Sequence, residues 1–136
     1  MAKNKSFLCL DVGDARMGVA LADGGVRIAI PYVTIEVDGS EIKEIAYIAD
    51  RESVDTIVVG YPRNQSGEAT AQTSKVEAFA DKLTDLVDEV VFQDESLTSV
   101  MAEDRLRQRG VAYSKADIDM EAAAIILQDY LEQNYG

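Results

Sequence analysis

Hydrophobic positions follow two different periods along the chain, and the N-terminal part carries the shorter one. Residues 6–12 (SFLCLDV) and 16–22 (RMGVALA) predict strands that are separated by the turn-like segment GDA. Residues 26–37 (VRIAIPYVTIEV) are rich in β-branched side chains and predict a third strand, in which Pro31 indicates an edge position or a bulge. Strands this close together in sequence favour an antiparallel meander.

Beyond this meander, helical spacing alternates with short apolar runs. Apolar residues recur at helical spacing in four segments, 40–53, 70–86, 98–110 and 117–133. Residues 54–62 form a short apolar run typical of a buried parallel strand, and residues 88–95 predict another strand. The order βββ-αβ-αβ-αα predicts an α/β fold in a single domain, residues 1–136. Its mixed sheet would have antiparallel strands first and parallel crossovers after them.

Composition is that of an ordinary globular protein that can bury a core. Of its 136 residues, 47% are hydrophobic and 28% are charged. No apolar run approaches the roughly 20 residues that span a bilayer, and the N-terminus lacks the features of a signal peptide. We therefore expect a cytoplasmic protein. Its one cysteine, Cys9, lies in the first predicted strand and is expected to be a small buried hydrophobe.

The absence of histidine narrows the chemistry that the chain can perform. It excludes Ser-His-Asp and Cys-His catalysis, histidine general bases and the usual zinc sites. Acid–base or metal chemistry must use carboxylates, of which there are 25 against 13 lysines and arginines. The net charge of −12 counts against a simple electrostatic nucleic-acid binder. It does not exclude a binder that carries divalent metal and a local basic patch.

Two strands end in carboxylates where apolar side chains would be expected. Asp11 ends the first strand, and Glu95, directly after Asp94, ends the strand that precedes the third helix. The carboxyl ends of parallel strands form the crevice in which α/β sheets place ligands. Two structural explanations stay open, since Asp11 is also a common turn residue and acids before a helix favour its dipole.

A third carboxylate, Asp119, falls within the apolar arc of the last helix. That arc is centred on Ala123, Ile126, Leu127 and Tyr130. The polar side chains predicted to lie on the opposite side are Glu121, Gln128 and Glu132. An unpaired carboxylate that points into a core is costly, so Asp119 should meet a cation, be protonated or lie at an exposed first turn. Capping of the helix by Asp119 is the structural alternative.

In a sheet of this order, Asp11, Glu95 and Asp119 can meet at one edge. Converging carboxylates cannot all ionise unless a cation compensates their charge. Mg²⁺ or Mn²⁺ suits a site made only of carboxylates. Two such ions about 4 Å apart would clamp the attacking and leaving oxygens of a phosphodiester. The pattern therefore leads to the hypothesis that Asp11 ends its strand because it holds metal.

Four segments of the chain occur in the order and spacing of the motifs of a known family. They are LDVGDARMGVALAD, VVGYPRNQSGE followed by KVEAFADKL, DESLTS, and IDMEAAAIILQDYLE. The chain resembles the YqgF family, also called RuvX, which consists of RuvC-like nucleases. The resemblance implies a ribonuclease H-like fold with a five-stranded mixed sheet flanked by helices. It also implies a metal-dependent nuclease that processes the 5′ end of pre-16S ribosomal RNA. The family's catalytic, metal-binding acids correspond to Asp11, Glu95 and Asp119.

The chain departs from the family pattern at two points near these acids. Ser96 follows the glutamate where the family usually has a basic residue. The segment GDAR replaces GTKR or a similar sequence, so Ala15 removes a positive charge and Asp14 adds a negative one. Both departures concern substrate affinity or preference, because the lost cations would flank the scissile phosphate.

Several polar side chains remain as candidates for holding nucleic acid. They are Arg16, Arg63, Asn64 and Lys75. Lys75 is also placed to pair with an acid across a helix turn. A second basic cluster is offset by neighbouring acids, which favours a solvated helix face; it comprises Arg105, Arg107, Arg109 and Lys115.

The first hypothesis for function is a metal-dependent endonuclease acting on structured RNA, with a ribosomal particle as a possible partner. A Holliday junction resolvase-like DNA nuclease is an alternative, and it would need a homodimer to cut two strands symmetrically. A non-catalytic RNA-binding assembly factor is another, favoured by the negative charge and the lost cations. An actin-like or sugar-kinase ATPase would need a second domain, for which this length leaves no room. The sequence leaves open whether the protein is a monomer or a homodimer.

Overall fold

The computed structural model describes residues 5–62, 71–95 and 98–135, which form one sheet with helices on both faces. Its strands are β1 Ser6–Val12, β2 Arg16–Asp23, β3 Ile30–Glu36, β4 Thr56–Pro62 and β5 Glu89–Glu95. They lie in the order β3-β2-β1-β4-β5. The first three pair in antiparallel fashion, whereas β4 runs parallel to both β1 and β5. The predicted mixed sheet is therefore confirmed.

The helices of the described residues are α1 Glu41–Arg51, α2 Ala71–Asp81, α3 Thr98–Arg109 and α4 Lys115–Tyr135. The prediction that α2 reaches residue 86 is wrong. Tight turns follow Asp81, in which the N–H of Leu83 bonds to the carbonyl of Ala80 while Leu83 stays buried. α4 begins before the predicted residue 117, because Ser114 and Asp117 cap it with reciprocal hydrogen bonds. None of these helices is long and apolar enough to cross a bilayer.

β3 forms one edge of the sheet and is irregular at its proline. Its pairing with β2 shifts between Val19 and Ala20, whose partners are Val33 and Pro31. The predicted edge position and bulge at Pro31 are confirmed. The strand begins at Ile30 rather than at 26, because a turn precedes it and the backbone then passes through a positive φ of 61° at Arg27.

Side chains of β1 alternate between two hydrophobic cores. Leu8 and Leu10 belong to the core that α1 and α2 cover. Phe7 and Cys9 belong to the core under α4. Cys9 is fully buried, as predicted, and burial raises the pKa of its thiol. Because the alternation continues along the strand, Asp11 lies on the α4 face of the sheet.

α4 is buried on two sides, which corrects the expected position of Glu121. The helix packs on the sheet and also against α3, where Ala102 and Ala122 share a small core. Glu121, expected on the polar side, is only 2% exposed. Its carboxylate accepts a hydrogen bond of 2.7 Å from Arg109 and lies 3.7 Å from a guanidinium nitrogen of Arg105. Two members of the predicted basic cluster therefore balance a buried acid.

Replacing Arg109 with methionine is expected to destabilise the fold by about 2 kcal/mol, because the buried Glu121 then keeps only its longer contact with Arg105. Adding Glu121→Met should recover most of this loss, since two apolar side chains can replace a buried ion pair at little cost. Urea unfolding of wild type, single and double variants measures both effects. A double variant as unstable as the single one would contradict this account.

Candidate active site

Asp11 and Glu95 approach each other across the end of β4. β4 lies between β1 and β5, and it carries Gly60 where a side chain would otherwise stand. A Cβ on Gly60 would lie 2.6 Å from Oε2 of Glu95 and 2.9 Å from Cδ1 of Ile126. The missing side chain therefore leaves the space through which the Glu95 carboxyl reaches its hydrogen bond with Asp11.

The pKa values of both carboxyl groups are raised, which disfavours the state in which both are ionised. Burial raises the pKa of Asp11 from 3.8 to about 6, against the opposing effect of the hydrogen bond from Glu95. Burial, followed by the charge of Asp11, raises the pKa of Glu95 from 4.5 to about 8. The buried Oε2 atom of Glu95 has no hydrogen-bond partner within the described part of the chain. The pair thus combines two buried carboxyl groups with an oxygen that receives no hydrogen bond from the described residues.

A second glycine brings α4 against the sheet beside Asp11. Gly18 on β2 is the antiparallel partner of Asp11. A Cβ on Gly18 would lie 1.8 Å from the carbonyl oxygen of Asp119, a distance that no side chain can occupy. The backbone of α4 therefore rests directly on β2 at the level of Asp11. Asp119 lies close enough to Asp11 for its negative charge to contribute to the raised pKa of that group.

Asp119 is paired with Arg16, which begins β2. Nε of Arg16 donates to Oδ2 of Asp119 over 2.8 Å, and both side chains are partly exposed. The alternative prediction that Asp119 caps α4 is wrong, because Ser114 and Asp117 cap this helix with reciprocal hydrogen bonds. The carboxylate in the apolar arc therefore meets a cation, which is one of the outcomes expected from its position. It links the start of β2 to the first turns of α4.

The ligand atoms available at this site suit a hard divalent cation. The described residues contain no preformed group of three potential metal ligands. All the candidate ligands are carboxylate oxygens, and Oε2 of Glu95 is buried without a donor. A cation bound by Asp11 and Glu95 would displace any proton that the pair retains, because carboxylates bind metal in their ionised form. Asp119, whose Oδ2 atom accepts from Arg16, could join them through its other carboxylate oxygen.

The remaining predicted substrate-binding residues are not all at this site. Nζ of Lys75 lies 3.7 Å from Oδ1 of Asp14, in the turn between β1 and β2, and both side chains are exposed. The prediction that Lys75 pairs with an acid of its own helix is therefore wrong, since its partner Asp14 lies between β1 and β2. Arg63, Asn64 and the departure Ser96 lie outside the described residues.

The second basic cluster is occupied by acids of α3 and α4. Arg107 pairs with Asp104 at 3.2 Å and with Glu103 at 3.8 Å, both on its own helix. Arg105 and Arg109 are held by the buried Glu121. The expectation that neighbouring acids offset this cluster agrees with these pairs, although the buried partner was not expected. Lys115 begins α4 and is exposed.

Gly18 and Gly60 are the site residues that sequence reasoning missed. A signal was present, because a glycine inside a strand weakens it and often marks the close approach of another backbone or group. Both glycines interrupt otherwise apolar strands. What approaches them could not be read from the sequence, since α4 and Glu95 are distant along the chain.

The Gly60→Ala variant is expected to keep the fold but to weaken Mn²⁺ binding by about tenfold. The added Cβ would displace the Glu95 carboxyl, whose flexible end can move without unfolding the protein. Isothermal titration calorimetry with Mn²⁺ measures the affinity, and circular dichroism checks the fold. Glu95→Gln provides the comparison in which a ligand is lost outright. Unchanged Mn²⁺ affinity in a folded Gly60→Ala protein would contradict the assignment of this space to Glu95.

The mixed sheet, with its acids at the ends of β1 and β5 and on α4, defines a RuvC-like α/β protein of the ribonuclease H-like fold. Residues 5–133 match the model of the RuvX family, described as Holliday junction resolvase. The chain belongs to this family, as its motifs indicated.

Relatives cover nearly the whole chain. A protein of Chloroflexus aurantiacus named "Putative pre-16S rRNA nuclease" is 45% identical over 131 residues, which are 93% of this chain and 86% of the relative. A protein of the same name from Synechocystis is 37% identical over 137 residues, covering 97% and 90%.

Solved structures share the fold at much lower identity. Thermus thermophilus RuvC in complex with a Holliday junction substrate matches with a TM-score of 0.57 and 14% identity, covering 96% of both chains. The Fowlpox virus resolvase in complex with Holliday junction DNA matches with a TM-score of 0.60 and 12% identity, covering 96% and 99%. At this level of identity, the likeness establishes the fold alone.

Proposed function

We propose that the protein is a metal-dependent endonuclease that hydrolyses phosphodiester bonds, with the 5′ end of pre-16S ribosomal RNA as its substrate. The observation that carries this proposal is the buried pair of Asp11 and Glu95. The pKa values of both carboxyl groups are raised, and Oε2 of Glu95 has no hydrogen-bond donor among the described residues. Such a pair is poised to exchange its proton for a divalent cation. The names of the relatives support ribosomal RNA as the substrate.

Asp11, Glu95 and Asp119 would hold Mg²⁺ or Mn²⁺, with two ions as the expected number. The chemistry supplied there is positive charge at the scissile phosphate and a lower pKa for the attacking water. In-line attack on phosphorus would break the bond to the 3′ oxygen and leave a 5′-phosphate and a 3′-hydroxyl. Arg16 donates to Asp119 through Nε, so its other guanidinium nitrogens would be placed beside the site to donate to a phosphate oxygen.

Divalent ions are also expected to govern substrate affinity. The two described cations among the predicted substrate-binding residues, Arg16 and Lys75, are each paired with a carboxylate. With a net charge of −12, the metal-free protein should repel a phosphate backbone. Arg63 and Asn64 remain proposed contacts for the substrate on the sequence evidence alone.

A four-way DNA junction is the second candidate substrate, because the matching family model is described as a Holliday junction resolvase. Symmetrical cleavage of two strands would require a homodimer, whereas RNA processing would not. The choice between the two substrates is therefore linked to the oligomeric state.

The test compares cleavage of a pre-16S RNA fragment that carries its 5′ extension with cleavage of a four-way DNA junction. Each substrate is incubated with Mn²⁺, Mg²⁺ or EDTA, and with wild type, Asp119→Asn or Asp50→Asn. Asp50, an exposed acid on α1, provides the matched control. We expect metal-dependent cleavage of the RNA that Asp119→Asn abolishes and Asp50→Asn preserves. Cleavage of the junction alone would favour the resolvase, and no cleavage by folded protein would favour a non-catalytic assembly factor.

A further inference from the structure

A small pocket lies behind the proposed catalytic acids, on the opposite face of the sheet. Among the described residues, its lining consists of Tyr61, Glu77, Asp81 and Phe92. Its volume of about 350 Å³ falls within the range of about 300–1,000 Å³ usual for small-molecule sites. Side chains alternate between the two faces of a sheet along each strand. Tyr61 and Phe92 therefore point away from the face that holds Gly60 and Glu95.

The two aromatic rings give this pocket a rigid apolar wall. Their centroids are 5.0 Å apart and their planes are inclined at 73°, an edge-to-face arrangement. The Tyr61 hydroxyl donates to the Glu77 carboxylate, which fixes the orientation of that ring. Phe92 is 44% exposed, a large fraction for an aromatic side chain next to a pocket. A flat, exposed ring on a fixed support is suited to stacking.

The other wall of the pocket is acidic. Glu77 and Asp81 are one turn apart on α2, so their carboxylates lie on the same side of the helix. Two acids repel phosphate, so this pocket does not suit a nucleic-acid backbone. Carboxylates do accept hydrogen bonds from the N–H groups on the edge of a base, and two parallel donors can meet one carboxylate. With Glu77 engaged by Tyr61, Asp81 is the acceptor for such an edge.

The pocket and the proposed catalytic acids lie on opposite faces of the sheet near its β5 edge. β5 is an edge strand, so a nucleic-acid strand can pass around it from one face to the other. Tyr61 is the register partner of Asp94, and Pro62 is the partner of Glu95. Phe92 precedes Glu95 by three residues, which is about 10 Å along an extended strand. A base attached close to the scissile phosphate is within reach of the pocket.

From this placement, we propose that the pocket is a nucleobase subsite. It holds an unpaired base near the cleaved phosphate by stacking on Phe92 and by hydrogen bonding to Asp81. Guanine fits best, because its N1–H and 2-amino groups point in parallel toward one carboxylate. The proposal rests on the function proposed above, since it assigns part of the same substrate to a second place on the protein. Bases locked in a duplex could not enter, so the subsite would select a single-stranded segment.

The test uses free nucleosides, which avoid repulsion between phosphate and the acidic protein. Binding of guanosine, inosine and uridine to the metal-free protein is followed by NMR titration. We expect guanosine to bind more tightly than inosine, which lacks the 2-amino group, and more tightly than uridine. Phe92→Ala should weaken guanosine binding at least about fivefold. Asp81→Asn should remove the preference for guanosine over inosine.

Two controls make the result decisive. Tyr47→Ala removes another exposed aromatic ring, on α1, and should leave guanosine binding unchanged. Asp11→Asn should also bind guanosine normally, so the subsite is tested apart from the catalytic acids. Guanosine binding that does not depend on Phe92, or no binding to wild type, overturns the proposal. Normal subsite behaviour in a protein that cleaves neither substrate would refute the nuclease proposal and leave the subsite standing.

Discussion

Replacing Asp11 with asparagine is expected to abolish cleavage while making the metal-free protein more stable. Loss of a proposed metal ligand should lower the cleavage rate by about 100-fold or more, because even partners that only orient a ligand affect metal sites by about 10–100-fold. The same change removes a buried negative charge that Glu95 must otherwise accommodate. Loss of activity with a gain in stability is the result expected for a strained active-site group.

The gain in stability depends on pH, and its sign follows from the raised pKa values. Folding raises the pKa of Asp11 from 3.8 to about 6 and that of Glu95 from 4.5 to about 8. Between pH 3.8 and about 8, the folded state therefore binds more protons than the unfolded state. The free energy of unfolding falls as the pH rises through this range. Asp11→Asn removes one of the two titrating carboxyl groups and also the negative charge that raises the pKa of Glu95. The free energy of unfolding of this variant should therefore depend much less on pH.

Thermal unfolding in EDTA at pH 4, 6 and 8 measures the effect. Wild type and Asp11→Asn should be similar at the lowest pH, and the variant should melt roughly 5 °C higher at the highest. Adding Mn²⁺ should stabilise wild type more than the variant, because only the folded site binds the ion tightly. The Asp50→Asn control should follow wild type throughout. A lower melting temperature for Asp11→Asn in EDTA at pH 8 would show that the pair is not under electrostatic strain.

The sheet and the places of the three acids could be predicted from sequence because they depend on local pattern. The change from strand to helical period gave the order of the elements, and each acid stood out against an apolar background. The end of α2 was missed for the same reason, since the apolar spacing continues through Leu83 in tight turns that keep it buried. A hydrophobic pattern reports burial, and here burial continues beyond the helix.

Pairings between distant residues could not be predicted in the same way. Arg16 and Asp119 are 103 positions apart, and their ion pair exists only because α4 lies across β2. Glu121 was placed on a polar side because a helical wheel has no information about α3, which covers that side and supplies two arginines. Asp119 was predicted to point into the core and Glu121 to be exposed, yet each forms an ion pair with arginines of another element.

The Gly18→Ala variant is expected to lose about 3 kcal/mol or more of its free energy of unfolding. The added Cβ would lie 1.8 Å from the carbonyl oxygen of Asp119 and 2.9 Å from the backbone nitrogen of Met120. Both atoms are backbone, so no side-chain rotation can relieve the clash and α4 must move away from β2. A displacement of about 1 Å at a catalytic group can cost about 100-fold in rate. Activity should therefore fall even where the variant remains folded.

Gly39→Ala separates this clash from the general cost of replacing glycine. Gly39 has a positive φ of 100°, and no described atom lies within 4 Å of an added Cβ, so its substitution should cost only backbone strain of about 1 kcal/mol. Urea unfolding of the two variants, together with cleavage assays at a temperature where both are folded, measures the difference. If Gly18→Ala loses no more stability than Gly39→Ala, α4 does not rest on β2 as closely as described. If it is destabilised but fully active, the contact supports the fold without positioning Asp119.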